Sequence, residues 1–145
     1  MGLNTTAEVI GLAKSLEEES ATFYRELAGN YSGAGDTFLT LADDNKKYIT
    51  QIDRAYYGVI TDALEGCFSF NIDPDKYTLD TGVTGDMPYA GALHKAVAME
   101  EQIIGFYVEA ARQSESLMAD IPRAFKMVAR KRGERVARLK TLISE

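Results

Sequence analysis

AKSLEEESATFYRELA at residues 13–28 and AVAMEEQIIGFYVEAA at residues 96–111 are two versions of one segment. At an offset of 83 they share Ala13/Ala96, Glu17/Glu100, Glu18/Glu101, Phe23/Phe106, Tyr24/Tyr107, Glu26/Glu109 and Ala28/Ala111, seven identities in sixteen positions. Leu16/Met99 is a conservative match. A Phe-Tyr pair held in register across a divergent pair of segments argues for duplication rather than chance. Apolar residues recur at helical spacing in both copies, so each reads as one amphipathic helix.

Working outward, the first helix is predicted from about Thr6 to Gly29, with a capping box at Thr5-Thr6-Ala7-Glu8. Its inward stripe is Val9, Ala13, Leu16, Ser20, Tyr24, Leu27 and Tyr31. Ser32-Gly33-Ala34-Gly35 breaks the pattern, and Asp36 is the expected cap of a second helix over about Thr37–Leu64. That helix carries Phe38, Leu41, Ala42, Asn45, Tyr48, Ile49, Ile52, Tyr56 and Val59 on one face. The third helix is expected from Tyr89 to Gln113, entered through Asp86-Met87-Pro88. The fourth is expected from Asp120-Ile121-Pro122 to Ile143, with Phe125, Val128, Ala129, Arg132, Val136, Leu139 and Ile143 inward. The second and fourth helices pair at an offset of 87: Phe38/Phe125, Leu41/Val128, Ala42/Ala129, Ile49/Val136 and Ile52/Leu139 agree in type, with Asn45/Arg132 and Tyr48/Arg135 in register. Helices 1–2 therefore repeat as helices 3–4. The connections run short, long, short, which predicts an all-α four-helix bundle with a crossover between helices 2 and 3, in one domain over residues 1–145.

The long connection, residues 67–88, holds Phe68, Phe70, Ile72, Tyr77, Leu79 and Val83. A connection this apolar is expected to pack as a lid on its own bundle or as an oligomer contact. Its Asp73, Asp75 and Asp80 lack the spacing and the closing Glu of a calcium-binding helix–loop–helix site.

Composition narrows the function classes. The 145 residues are 46% hydrophobic and carry a net charge of −6, which argues against a general nucleic-acid binder. No apolar run approaches the ~18 residues of a membrane span, and the N-terminus lacks the pattern of a secretory signal. Met1-Gly2-Leu3-Asn4-Thr5-Thr6 does fit a myristoylation pattern, although a threonine cap explains the same letters. Cys67 stands alone, which excludes an internal disulfide and any Cys-rich metal module and makes a reducing, cytoplasmic setting the default expectation. Charge is concentrated in residues 123–140, where Arg123, Lys126, Arg130, Lys131, Arg132, Arg135, Arg138 and Lys140 face one acid, Glu134. That run reads first as a solvated helix face, then as a site for a small anion or an acidic protein partner, and last for nucleic acid.

The twice-occurring A-x-x-[LM]-E…F-Y-x-x-x-A pattern resembles the rubrerythrin-like branch of the ferritin-like superfamily over essentially the whole chain. The resemblance implies a ferritin-like bundle, a homodimer, and two iron ions held by one Glu from each first helix and a Glu-x-x-His from each second helix. On that pattern Glu17 and Glu100 match the first-helix ligands. Asn45 and Tyr48 stand at one pair of Glu-x-x-His positions, and Arg132 and Arg135 at the other.

Half of the ligand set is thus replaced. Arginine stays protonated and has no lone pair to offer a metal, and iron sites need carboxylate and imidazole donors. The single histidine, His94, lies six residues before Glu100, about 9 Å along the helix and some 240° around it. Asp44 and Glu134 lie one position off the inward register. Arg132 and Arg135 can instead neutralise Glu17 and Glu100 as bidentate partners, with Asn45 and Tyr48 completing the hydrogen bonds. This reading expects Arg132 within ion-pair distance of Glu17 or Glu100. It implies a non-catalytic binding or interaction module without a cofactor. Two alternatives are carried forward: an iron-binding, non-haem oxidoreductase or iron handler using Glu17 and Glu100, and a small-anion binder using Arg132 and Arg135 in the vacated cavity. Tyr24, Tyr107, Phe23 and Phe106 are expected as core packing, and His94 as a surface residue.

Overall fold

The computed structural model describes residues 2–59, 70–115 and 120–144, with the side chain of Val59 left out. Among them are four α-helices: α1 (Thr6–Asn30), α2 (Gly35–Val59), α3 (Tyr89–Gln113) and α4 (Asp120–Ser144). The expected end of the second helix at Leu64, together with Cys67 and Phe68, lies outside the described residues. None of the helices is long and apolar enough to cross a membrane.

The helix ends follow local chemistry. Thr5 accepts from the Glu8 amide at 3.2 Å, and Glu8 Oε1 accepts from the Thr5 amide at 3.1 Å, closing the capping box. At α2 the expectation needs correction. The chain enters through a single 3₁₀ turn, Ser32–Ala34, so the helix starts at Gly35 and Asp36 lies in its first turn rather than capping it. There its carboxylate still faces the positive end of the helix dipole. Pro88 is the residue before α3, not inside its first turn, and no side chain caps that helix.

Most of the expected stripes point inward, while Tyr31, Ile49, Ala129 and Ile143 are only half-buried. Val9, Ala13, Leu16, Leu27, Phe38, Leu41, Ile52, Leu93, Met99, Ile103, Phe125, Val128 and Leu139 are all buried. The duplication is visible in the rings: Tyr24 lies 6.2 Å from Phe38, and its counterpart Tyr107 lies 6.0 Å from Phe125. Contacts of α1 with α2 run antiparallel, as Tyr24–Phe38 and Lys14–Asp53 (3.3 Å) show. The α3–α4 pair runs likewise.

The described part of the long connection is strapped to its own bundle. Phe70 and Ile72 are buried, and Tyr77, Leu79, Val83 and Met87 pack against the core. Leu3 and Ile72 form an isolated antiparallel bridge, with N···O distances of 2.6 and 3.1 Å. Gln102 Nε2 on α3 donates to the carbonyls of Lys76 and Thr78 at 2.9 and 3.0 Å. Gln113 holds both polar backbone groups of Asn71. The apolar side chains of residues 70–87 are thus spent on their own bundle.

Candidate functional site

At the centre of the four helices is a cluster of charged and polar side chains with almost no solvent contact. Glu17, Glu100, Asn45 and Arg132 are 0% exposed and Arg135 is 3% exposed. The helical repeat explains who meets whom. Glu17 and Tyr24 lie two turns apart on the inward stripe of α1, and Glu100 and Tyr107 hold the same places on α3. The antiparallel apposition of the two helices then sets each tyrosine beside the other repeat's glutamate.

Arg132 is the hub. Its Nη2 donates to Glu17 Oε1 at 2.6 Å and its Nε to Glu17 Oε2 at 3.2 Å, while Nη1 donates to Glu100 Oε1. Arg135 Nη1 reaches Glu100 Oε2 at 3.2 Å and Asn45 Oδ1 at 2.8 Å, and Nη2 donates to the Leu41 carbonyl at 3.1 Å. Asn45 Nδ2 donates to the Glu17 backbone carbonyl at 3.2 Å. Tyr107 donates to Glu17 Oε2 at 2.6 Å, and Tyr24 donates to Glu100 Oε2. Every carboxylate oxygen therefore accepts at least one hydrogen bond. Tyr48 makes no hydrogen bond among the described residues; its ring lies against both guanidiniums, at 5.6 Å from Arg132 and 5.4 Å from Arg135.

The charges cancel locally, two carboxylates against two guanidiniums. Burial alone would push the Glu100 carboxyl up, but Arg132 and Arg135 outweigh it and hold it below the ordinary value. Burial would likewise release the Arg132 proton more easily, yet Glu100 and Glu17 raise it well beyond an ordinary arginine. Burial, and then the facing carboxylate, drives Tyr24 and Tyr107 strongly upward, so both are neutral donors. Burial also raises Tyr48.

The structure brings all six expected site residues together: Glu17, Asn45, Tyr48, Glu100, Arg132 and Arg135. His94 is exposed, Glu134 is exposed and Asp44 is half-buried, so none of them joins the cluster. Tyr24 and Tyr107 add what pattern reading left out. They are core residues as expected, but each hydroxyl also serves a glutamate of the opposite repeat. Their place two turns after the glutamate in both repeats was the available signal.

The donor set does not suit a pair of iron ions. No imidazole faces the cluster, both carboxylates are fully engaged by cations and phenols, and the Arg132 guanidinium bridges Glu17 and Glu100, which is the position a bridging cation needs. Among the described residues no group of three or more His, Cys, Asp or Glu is disposed to hold a metal ion. Comparison of the chain with protein families, curated proteins and solved structures gives no match.

Proposed function

We propose that this chain is a rubrerythrin-like bundle of the ferritin superfamily in which a buried ion network stands in for the di-iron centre, leaving a non-catalytic binding or interaction module. One observation carries the reading: a single guanidinium joins Glu17 and Glu100, the two positions that match the family's first-helix ligands. A permanent cation in the chain cancels the charge that metal ions would cancel, and it offers no electron to transfer.

The contact register supports the one-crossover topology. Glu17 meets Tyr107 and Tyr24 meets Glu100, so α1 and α3 oppose each other. With α2 opposed to α1, helices α2 and α3 run the same way, and only a long connection allows that.

The iron-dependent alternative needs ligands that the cluster lacks. The small-anion alternative meets guanidiniums already engaged, Arg132 by Glu17 and Glu100 and Arg135 by Glu100, Asn45 and the Leu41 carbonyl. The homodimer and the cytoplasmic setting remain part of the proposal through the resemblance and the single thiol.

Metal analysis of protein produced in iron-rich medium tests the reading. Iron well below one equivalent per chain is expected. Stoichiometric iron that disappears in Glu17→Ala overturns it in favour of the oxidoreductase or iron handler.

A further inference from the structure

Among the network side chains, Tyr48 (8% exposed) and Arg135 (3% exposed) keep some solvent contact, and they do so beside each other between α2 and α4. There a groove of roughly 180 Å³ opens, walled by Leu41, Asp44 and Tyr48 from α2 and by Lys131, Glu134 and Arg138 from α4, with Arg135 at its floor. Lys131 and Arg138 are exposed and neither has an ion-pair partner among the described residues. Of the two acids, Asp44 is engaged by Lys47 at 3.4 Å, and the Arg135 charge below is engaged by Glu100. The charges left to act on a ligand are Lys131 and Arg138 against Glu134. The Tyr48 hydroxyl is a neutral donor without a hydrogen-bond partner among the described residues, held by a ring fixed against two guanidiniums.

We propose that this groove is a binding site for a phosphoryl group. The volume is below the usual range for drug-sized ligands, about 300 Å³ and up, and suits a small anion. Lys131 and Arg138 lie two turns apart on one helix, about 10 Å along its axis. A tetrahedral phosphoryl group offers several acceptor oxygens in different directions, so ammonium, guanidinium and phenol can each take one. A monocarboxylate can also accept three hydrogen bonds, as Glu17 does in the core, but only through two oxygens in one plane and with a single charge, whereas a phosphoryl group meets donors from both helices with oxygens in three dimensions and up to two charges. The inference goes beyond the proposed function, because the groove exists whether or not the bundle descends from an iron protein.

Titration of the full chain with inorganic phosphate at low ionic strength, followed by calorimetry and amide chemical shifts, tests it, with O-phosphoserine as a second arm and sodium chloride as the control. Saturable binding is expected, weakened about tenfold by Lys131→Ala and by Arg138→Ala, weakened less by Tyr48→Phe, and tightened by Glu134→Gln. Shift changes should centre on residues 41–48 and 131–138. Tighter binding of O-phosphoserine identifies a phosphate monoester as the ligand, and equal binding identifies free phosphate; either supports the site. A response that chloride reproduces, or one unchanged in both alanine variants, overturns it. Iron content is unaffected by these variants, so this outcome and the metal test stand apart.

Discussion

Arg132 is a large charged side chain with no exposed surface, and its position is tolerable only because all three guanidinium nitrogens find carboxylate oxygens. Taking two carboxylates and two guanidiniums out of water costs several kcal/mol per ion, and the pairing must offset that. Arg132→Ala removes the shared partner and leaves two buried acids facing each other, so a loss of about 3–5 kcal/mol in urea unfolding is expected. Arg132→Lys should recover little of it. An ammonium is a compact point charge with three donors on a single nitrogen, so it cannot reproduce the two-nitrogen contact with Glu17 together with the reach to Glu100. Full recovery in the lysine variant would show that charge alone suffices. The two phenols make a smaller, symmetric contribution. Tyr24→Phe and Tyr107→Phe each remove one hydrogen bond to a carboxylate, and each should cost about 1.5–3 kcal/mol by the same measurement. A null effect in either would mean that the arginines alone satisfy that glutamate.

At the scale of the element, the helices are made by patterning, with a side-chain cap closing the start of α1, whereas the strap over residues 70–88 depends on side chains from other elements. Thr5 satisfies an amide that would otherwise be orphaned at the α1 N-terminus, so Thr5→Ala should cost about 1 kcal/mol. The strap has little backbone pairing of its own beyond the Leu3–Ile72 bridge. Gln102 and Gln113 supply four of its hydrogen bonds to α3. Replacing both with alanine should raise amide exchange across residues 71–78 while the α1–α4 core keeps its protection, a local opening rather than global unfolding. Loss of protection throughout the core would instead make the strap an integral part of the bundle.

For the molecule as a whole, the ion network sets how stability responds to acid. The Glu100 pKa is depressed in the folded state, so its contribution is fully present above the unfolded glutamate value of about 4.3. That contribution is lost as pH falls through the lower folded value. Urea midpoints should therefore fall steeply below about pH 4, and Glu100→Gln should flatten that dependence. Much of this arrangement was legible in the chain alone. The offsets of 83 and 87 aligned Glu17 with Glu100, and Asn45 and Tyr48 with Arg132 and Arg135, because an inward stripe recurs every three to four residues whatever its neighbours are. The same periodicity marked Asp44 and Glu134 as off register, and it cannot say which hydroxyl meets which carboxylate. That Tyr24 serves Glu100 and Tyr107 serves Glu17 follows from the antiparallel placement of α1 against α3, a relation between segments more than seventy residues apart. The start of α2 at Gly35 was missed because a 3₁₀ turn leads into it without a capping side chain. Whether the strap would cover its own bundle or another molecule was also undecided, since an apolar loop records only that it must be covered. Four amphipathic helices in two repeated pairs, and most of the residues on their inner faces, can be read from local periodicity. The partner of each buried charge cannot, because pairing depends on how helices distant in sequence are set against one another.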